Sequence, residues 1–225
     1  MNVFVLDMNP TVAAQLQCDK HVVKMIVESA QMLSTVHRML DGDETRIRSK
    51  SGKRMVKHWE MANVEDEQLL YKAVHMNHPC TVWSRINRAN YAWHYEHFYA
   101  LCKEYTYRYG KVHASETLLL DRLKEFPRNL PDGDLTPFPL AMGSNPECMF
   151  PEDPVKSYRL FYQTKQERFS GRRPPACPTK QERFLAAGHP LVQPNLNASL
   201  ARGQPPVQPN GNASWPPATR LSNET

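Results

Sequence analysis

The sequence predicts an all-α fold over residues 1–169, a compact single-domain helical bundle with a short N-terminal extended arm, followed by a disordered tail over residues 170–225. Three observations carry this expectation. Apolar residues recur at helical spacing in several windows, and only one short run, Val3-Phe4-Val5-Leu6, is β-prone. The composition also changes after Ser170: ten of the 19 prolines lie beyond it, among Gln, Asn, Ala and Arg, with too few large apolar residues to offset the entropy of ordering.

In chain order, the arm leads into a helix expected over residues 9–40. Asn9 can cap it through its side-chain oxygen, and Pro10 suits the first helical position, where a missing N–H costs nothing. Val12, Leu16, Val23, Ile26, Ala30 and Leu33 make its apolar face, and Asp41-Gly42-Asp43 stops it. Residues 44–61 are polar and basic and read as an exposed loop. A second helix is expected over 63–74, with acids in its first turn as the helix dipole favours. Pro79 breaks the pattern at His78. A long aromatic helix then spans 81–109 and supplies most of the core through Trp83, Ile86, Tyr91, Trp93, Phe98, Leu101 and Tyr105, with Gly110 as its C-cap. Ser115 opens a helix closed by Pro127. Residues 129–154 form an irregular packed crossing, and 154–169 a last helix. The segment Thr164-Lys165-Gln166-Glu167-Arg168-Phe169 recurs 15 residues later, as does Val192-Gln193-Pro194-Asn195; both read as duplicated low-complexity sequence.

Most of the formal charge of +5 belongs to the tail, where six Lys/Arg face two Asp/Glu, so the domain is close to neutral. Its one dense basic patch is Arg46, Arg48, Lys50, Lys53, Arg54 and Lys57. Five cysteines form no disulfide-scaffold pattern, no signal peptide is evident, and no apolar run approaches the ~18 residues of a membrane helix, so a cytoplasmic setting with free thiols is expected. No Walker loop, G-x-G-x-x-G, H-E-x-x-H or G-x-S-x-G occurs, which removes the commonest kinase, dehydrogenase, zinc-protease and hydrolase readings. Neither a nucleotide nor another cofactor is called for.

Chemistry concentrates on one stripe of the first helix, where Gln17, His21, Lys24, Glu28 and Gln31 recur at helical spacing. Glu28 is the candidate acid/base or stabiliser of a cationic intermediate, with Lys20 or Lys24 as an amine nucleophile or phosphate contact. The plainer alternative is a solvated i,i+4 pair of Lys24 and Glu28; His21 on the same stripe argues against it. Zinc held by Cys18 and His21 with His75, His78 and Cys80 is a further alternative. Asn77, His78, Arg85 and Arg88 gather at a polar bend where arginine forks suit phosphate. Aromatic residues beside the basic loop residues Arg46, Arg48, Lys53 and Arg54 suit nucleic acid, although an aromatic helix also serves as core.

Asp19-Lys20-His21-Val22, followed seven positions after His21 by Glu28, resembles the phage pyrimidine-dimer DNA glycosylase family of the endonuclease V type. Asn77-His78-Pro79 and the helix through Glu104-Tyr105-x-Tyr107-Arg108-Tyr109-Gly110 are similar to that family too, over about residues 1–125. The whole chain also resembles tailed-phage proteins sharing Cys-Asp-Lys-His-Val-Val-Lys-Met. The resemblance implies a small all-helical enzyme of the glycosylase/AP-lyase type with DNA as partner, Glu28 as catalytic carboxylate, and His21 and Asp19 as neighbours. The family attacks the sugar with the amine of a Thr exposed by removal of the initiator Met. Here Asn2 follows Met1, a side chain large enough to leave the Met in place, and arginines flanking the family's glutamate correspond to Val27 and Gln31. A lysine nucleophile is therefore one expectation. The alternative function is a non-catalytic phage accessory protein that binds nucleic acid or protein through the basic loop and tail.

Overall fold

A computed structural model describes residues 1–49 and 51–170 of the chain. The expected disorder and duplications of the tail lie outside the described residues.

An extended arm, residues 1–6, precedes α1 (Pro10–Gln15) and α2 (Asp19–Asp41). A β-hairpin follows, β1 (Asp43–Arg48) and β2 (Met55–Glu60), then α3 (Val64–Leu69), α4 (Pro79–Ser84), α5 (Arg88–Tyr109), α6 (Ala114–Lys124), a 3-10 turn (Pro146–Cys148) and α7 (Pro154–Ser170). The hairpin overturns the purely all-α expectation. The segment read as a basic loop is a two-stranded antiparallel sheet with Arg46 opposite Lys57 and Ile47 opposite Val56. Its alternation of charged and β-branched residues is a period-two pattern that the density of cations hid. No helix among the described residues is long and apolar enough to cross a membrane.

Local chemistry accounts for most element boundaries. The Asn9 side chain accepts from the Thr11 and Val12 amides, and Asn63 caps α3 in the same way. Gly110 closes α5 at φ 62°, a left-handed conformation that glycine adopts without steric cost. The single helix expected over 9–40 is two, because tertiary bonds replace helical ones at the junction. The Gln17 amide reaches His97 Nε2 (3.2 Å), and the Cys18 N–H donates to the Tyr162 hydroxyl (2.8 Å). The helix expected over 81–109 is likewise broken, at Asn87. That residue is extended and caps α5 by accepting from the Asn90 N–H (2.9 Å).

α2 is the central element. Val22, Met25, Ile26, Ala30, Met32, Leu33 and Val36 are buried on it, and so are His21, Ser29, Thr35, His37 and Arg38. Of its polar stripe His21 is buried, Glu28 and Gln31 are partly buried and Lys24 is exposed; Leu16 and Val23, expected on the apolar face, are exposed too. At its end, a Cβ on Gly42 would stand 2.7 Å from the Arg38 carbonyl oxygen, so only glycine lets the chain turn from α2 into β1.

Arg38, 1% exposed, holds the hairpin and α3 on α2. Its guanidinium donates to the carbonyls of Trp59, Glu67, Leu70 and Tyr71 (2.7–2.9 Å) and to the Glu67 carboxylate. These bonds take carbonyls that a longer α3 would use, which is why the helix ends at Leu69 and not near Val74. Arg38→Met should cost about 3–5 kcal/mol, since it strands buried acceptors around a site built for a charge. Denaturant unfolding checks this, and a loss below about 1 kcal/mol would contradict it.

Four interior histidines make the fold acid-sensitive. Burial lowers His37 to about 4 and His94 and His97 to about 3; His21 is also lowered to about 4, by burial first and then by Lys24. Each folded value lies below the ordinary 6.5, so as pH falls from 6.5 toward 4 the unfolded chain binds protons that the fold refuses. Stability is full above pH 6.5 and is lost through that window. The thermal midpoint should fall steeply between pH 6.5 and 4.5, and a flat melting curve over that range would contradict the account.

Candidate active site

The arm explains where the amino terminus sits. Val3, Phe4, Val5 and Leu6 are all buried. The Asn2 amide donates to the Ala141 carbonyl (2.9 Å), and the Phe4 N–H donates to Asn2 Oδ1 (3.2 Å). The Arg159 guanidinium on α7 donates to the Leu6 carbonyl (2.8 Å). Phe4 stacks on His21 with ring centroids 5.0 Å apart, and meets Phe161 at 6.2 Å and Tyr162 edge-on at 5.2 Å. It does so at φ 47°, a backbone region that a bulky residue enters only when its surroundings impose it.

The result is a contact between the two ends of the site. The α-amino nitrogen of Met1 lies 3.4 Å from Glu28 Oε2, with the Met1 side chain 3% and the Glu28 side chain 14% exposed. Lys24 Nζ lies 3.1 Å from the other carboxylate oxygen, Glu28 Oε1. Met1, Phe4, His21, Lys24, Glu28 and Lys165 line an open cavity of about 480 Å3, within the ~300–1,000 Å3 usual for small-ligand sites.

Two histidines flank it. His21 Nδ1 is 2.8 Å from the Tyr162 hydroxyl, which already accepts from the Cys18 N–H. With the hydroxyl donating to Nδ1, the neutral ring would carry its own proton on Nε2. His78 caps α4 by accepting the Cys80 N–H at Nδ1 (3.2 Å). Burial, followed by the nearby Met1 ammonium, holds it below its ordinary value. His75, three residues earlier, has φ 49°, so the only two positive-φ residues other than glycine among the described residues stand in the arm and beside His78.

The remaining expected residues divide clearly. Lys20 lies one turn before Lys24 and does not line the cavity. Asp19 pairs with Arg108 (2.8 Å), which also bonds Glu104, so it ties α2 to the end of α5. Asn77 is exposed. Arg85 donates to the Met76 carbonyl (3.0 Å), while Arg88 pairs with Asp132 (2.9 Å). Arg46, Arg48, Lys53 and Arg54 are exposed on the hairpin, away from this cavity. The zinc alternative meets no converging donors: Cys80 is fully buried with its thiol pushed up to about 11 by desolvation, and His21 Nδ1 and His78 Nδ1 are engaged as described. Among the described residues no three His, Cys, Asp or Glu side chains form a metal-holding group. Phe4, Tyr162 and Lys165 are site residues that the spacing did not expose, because they come from the arm and from α7, more than a hundred residues from Glu28 in the second case.

No family model, curated protein or solved structure matches this chain.

Tyr162→Phe should cost about 1–3 kcal/mol by leaving the buried Cys18 N–H and His21 Nδ1 without their shared partner. It should also release the fixed His21 tautomer, seen as a changed 15N shift pattern of that ring. An unchanged tautomer in the variant would contradict the assignment.

Proposed function

We propose that this chain is a DNA-acting enzyme of the glycosylase/AP-lyase type, in which the α-amino group of Met1 is the nucleophile and Glu28 the catalytic carboxylate. The observation that carries the reading is the 3.4 Å amine–carboxylate contact at the wall of an open cavity. An amine held beside a carboxylate is the pair that imine chemistry at a sugar carbon needs. The amine, once deprotonated, attacks C1′, and the N-glycosidic bond breaks with its electron pair leaving on the base. Glu28 accepts the proton that the attacking nitrogen sheds and returns it to O4′ as the C1′–O4′ bond breaks, which leaves a carboxylate to stabilise the cationic iminium; the departing base takes its proton from water. α-Amino groups as a class deprotonate more readily than lysine amines, so the lysine nucleophile suggested by Asn2 is unnecessary here. Lys24 and His21, which line the cavity, are the candidate contacts to the phosphates and to the extruded nucleotide. The four described cysteines are free thiols, which fits a reducing cytoplasm, that of the host if the gene is phage-borne.

A second reading, a non-catalytic nucleic-acid-binding accessory protein, is favoured by one observation, the exposed basic hairpin. Glu28→Gln separates the two. On duplexes carrying an abasic site or a pyrimidine dimer, the variant should lose at least about 10²-fold in single-turnover strand scission while binding with unchanged affinity. Equal scission by variant and parent would sink the catalytic reading.

A further inference from the structure

The hairpin is the largest charged feature that the chemistry above does not use. In its antiparallel register Arg46 is opposite Lys57 and Arg48 opposite Met55, so Arg46, Arg48 and Lys57 share one face. Ile47, Val56 and His58 take the other, half-buried face toward the body. Lys53 and Arg54 stand at the tip, where Gly52 (φ 71°) makes the turn. The one acid among them on that face, Glu44, is paired with Lys57 at 2.7 Å. Between the hairpin and residues 72–76 runs a groove of about 930 Å3; Arg48, Arg54 and Lys57 reach its edge on the hairpin side, and Lys72 adds a cation from the opposite wall. The root is anchored rather than free: Trp59 and Met61 are buried, and the Trp59 carbonyl is held by Arg38.

We infer that this β-ribbon docks in the major groove of double-stranded DNA, with Arg46 and Arg48 on its outer face and Lys53 and Arg54 at its tip contacting phosphates on the flank of the target nucleotide. The inference deepens the DNA-acting reading and rests on it for the position of the target. B-DNA's major groove, about 12 Å wide, admits a two-stranded ribbon without deformation, whereas the minor groove, about 6 Å wide, would first have to be widened. The charge is complementary, and the hairpin's acids, Asp43, Glu44 and Glu60, are confined to its root. The position is set by α2, because Gly42 at the hairpin root follows Glu28 by about 21 Å of helix at 1.5 Å per residue. With α2 lying along the duplex axis, that rise corresponds to roughly six base pairs at 3.4 Å per pair. Segment 74–78 joins the two regions: Val74 and Met76 line the groove under the hairpin, while His78 faces the Met1 amine.

The test is the salt dependence of affinity for three probes carrying one abasic site: a duplex of about 30 base pairs, a duplex of about 8 base pairs centred on the site, and the 30-mer single strand. The full chain should prefer the long duplex. Replacing Arg46, Arg48, Lys53 and Arg54 together by Ala should lower its log–log salt slope by about 3 to 4 and bring its affinity down to that for the short duplex. Replacing the three arginines by Lys keeps the charge and should retain the slope; loss equal to the Ala variant would mean damage to the fold and overturn the inference. An unchanged slope in the Ala variant, or equal preference for the single strand, would overturn it as well. Borohydride trapping on the short duplex reports the catalytic reading separately. An adduct there with no hairpin effect removes only the ribbon, and a hairpin effect with no adduct removes only the chemistry.

Discussion

The structure depends on burial of the N-terminal arm. Val3, Phe4, Val5 and Leu6 are all buried in the hydrophobic core, and Phe4 packs between His21 of α2 and Phe161 and Tyr162 of α7. Burying four such side chains is worth several kcal/mol at about 1.5–3 each, enough to hold Phe4 in a backbone conformation that costs about 1–3 kcal/mol. The consequence is positional. An amino terminus, ordinarily among the most mobile groups of a chain, is seated against Glu28 with little freedom. In the reaction proposed above, that seating would pre-order the nucleophile, a large part of what a catalytic site has to achieve.

The second constraint is α2 itself. It is covered on most sides, and two of its charged residues have distinct places. Arg38 is fixed and organises the hairpin; Glu28 faces the cavity and meets the amine. One helix thus fixes both the spacing and the relative direction of the amine–carboxylate pair and the basic ribbon. The ion pair of Glu28 with exposed Lys24 adds little stability, as surface pairs do, and its place in the site is to set charge near the carboxylate.

Much of this was legible in the sequence. The caps at Asn9 and Gly110 and the irregular crossing before α7 follow from local residue preferences. Three features were not legible, and each has the same cause. The break at Gln17-Cys18 is made by His97 and Tyr162, the early end of α3 by Arg38, and the seating of Met1 by contacts with Ala141 and Arg159. All are tertiary bonds to residues remote in sequence, carrying no Gly or Pro signal at the place they act. The hairpin differs: its alternation of Arg46, Ile47 and Arg48 against Val56 and Lys57 was present, but the run of cations read as a solvated loop.

The most direct measurement is the identity of the residue that forms a reducible imine. The protein is incubated with an abasic-site duplex in borohydride, digested, and the modified peptide sequenced by mass spectrometry, with the intact N-terminal residue established on the same sample. The account predicts a single adduct on the α-nitrogen of Met1, lost in the Glu28→Gln variant. An adduct on Lys20, Lys24 or Lys165, or no adduct on a protein whose chain begins at Met1, would contradict it.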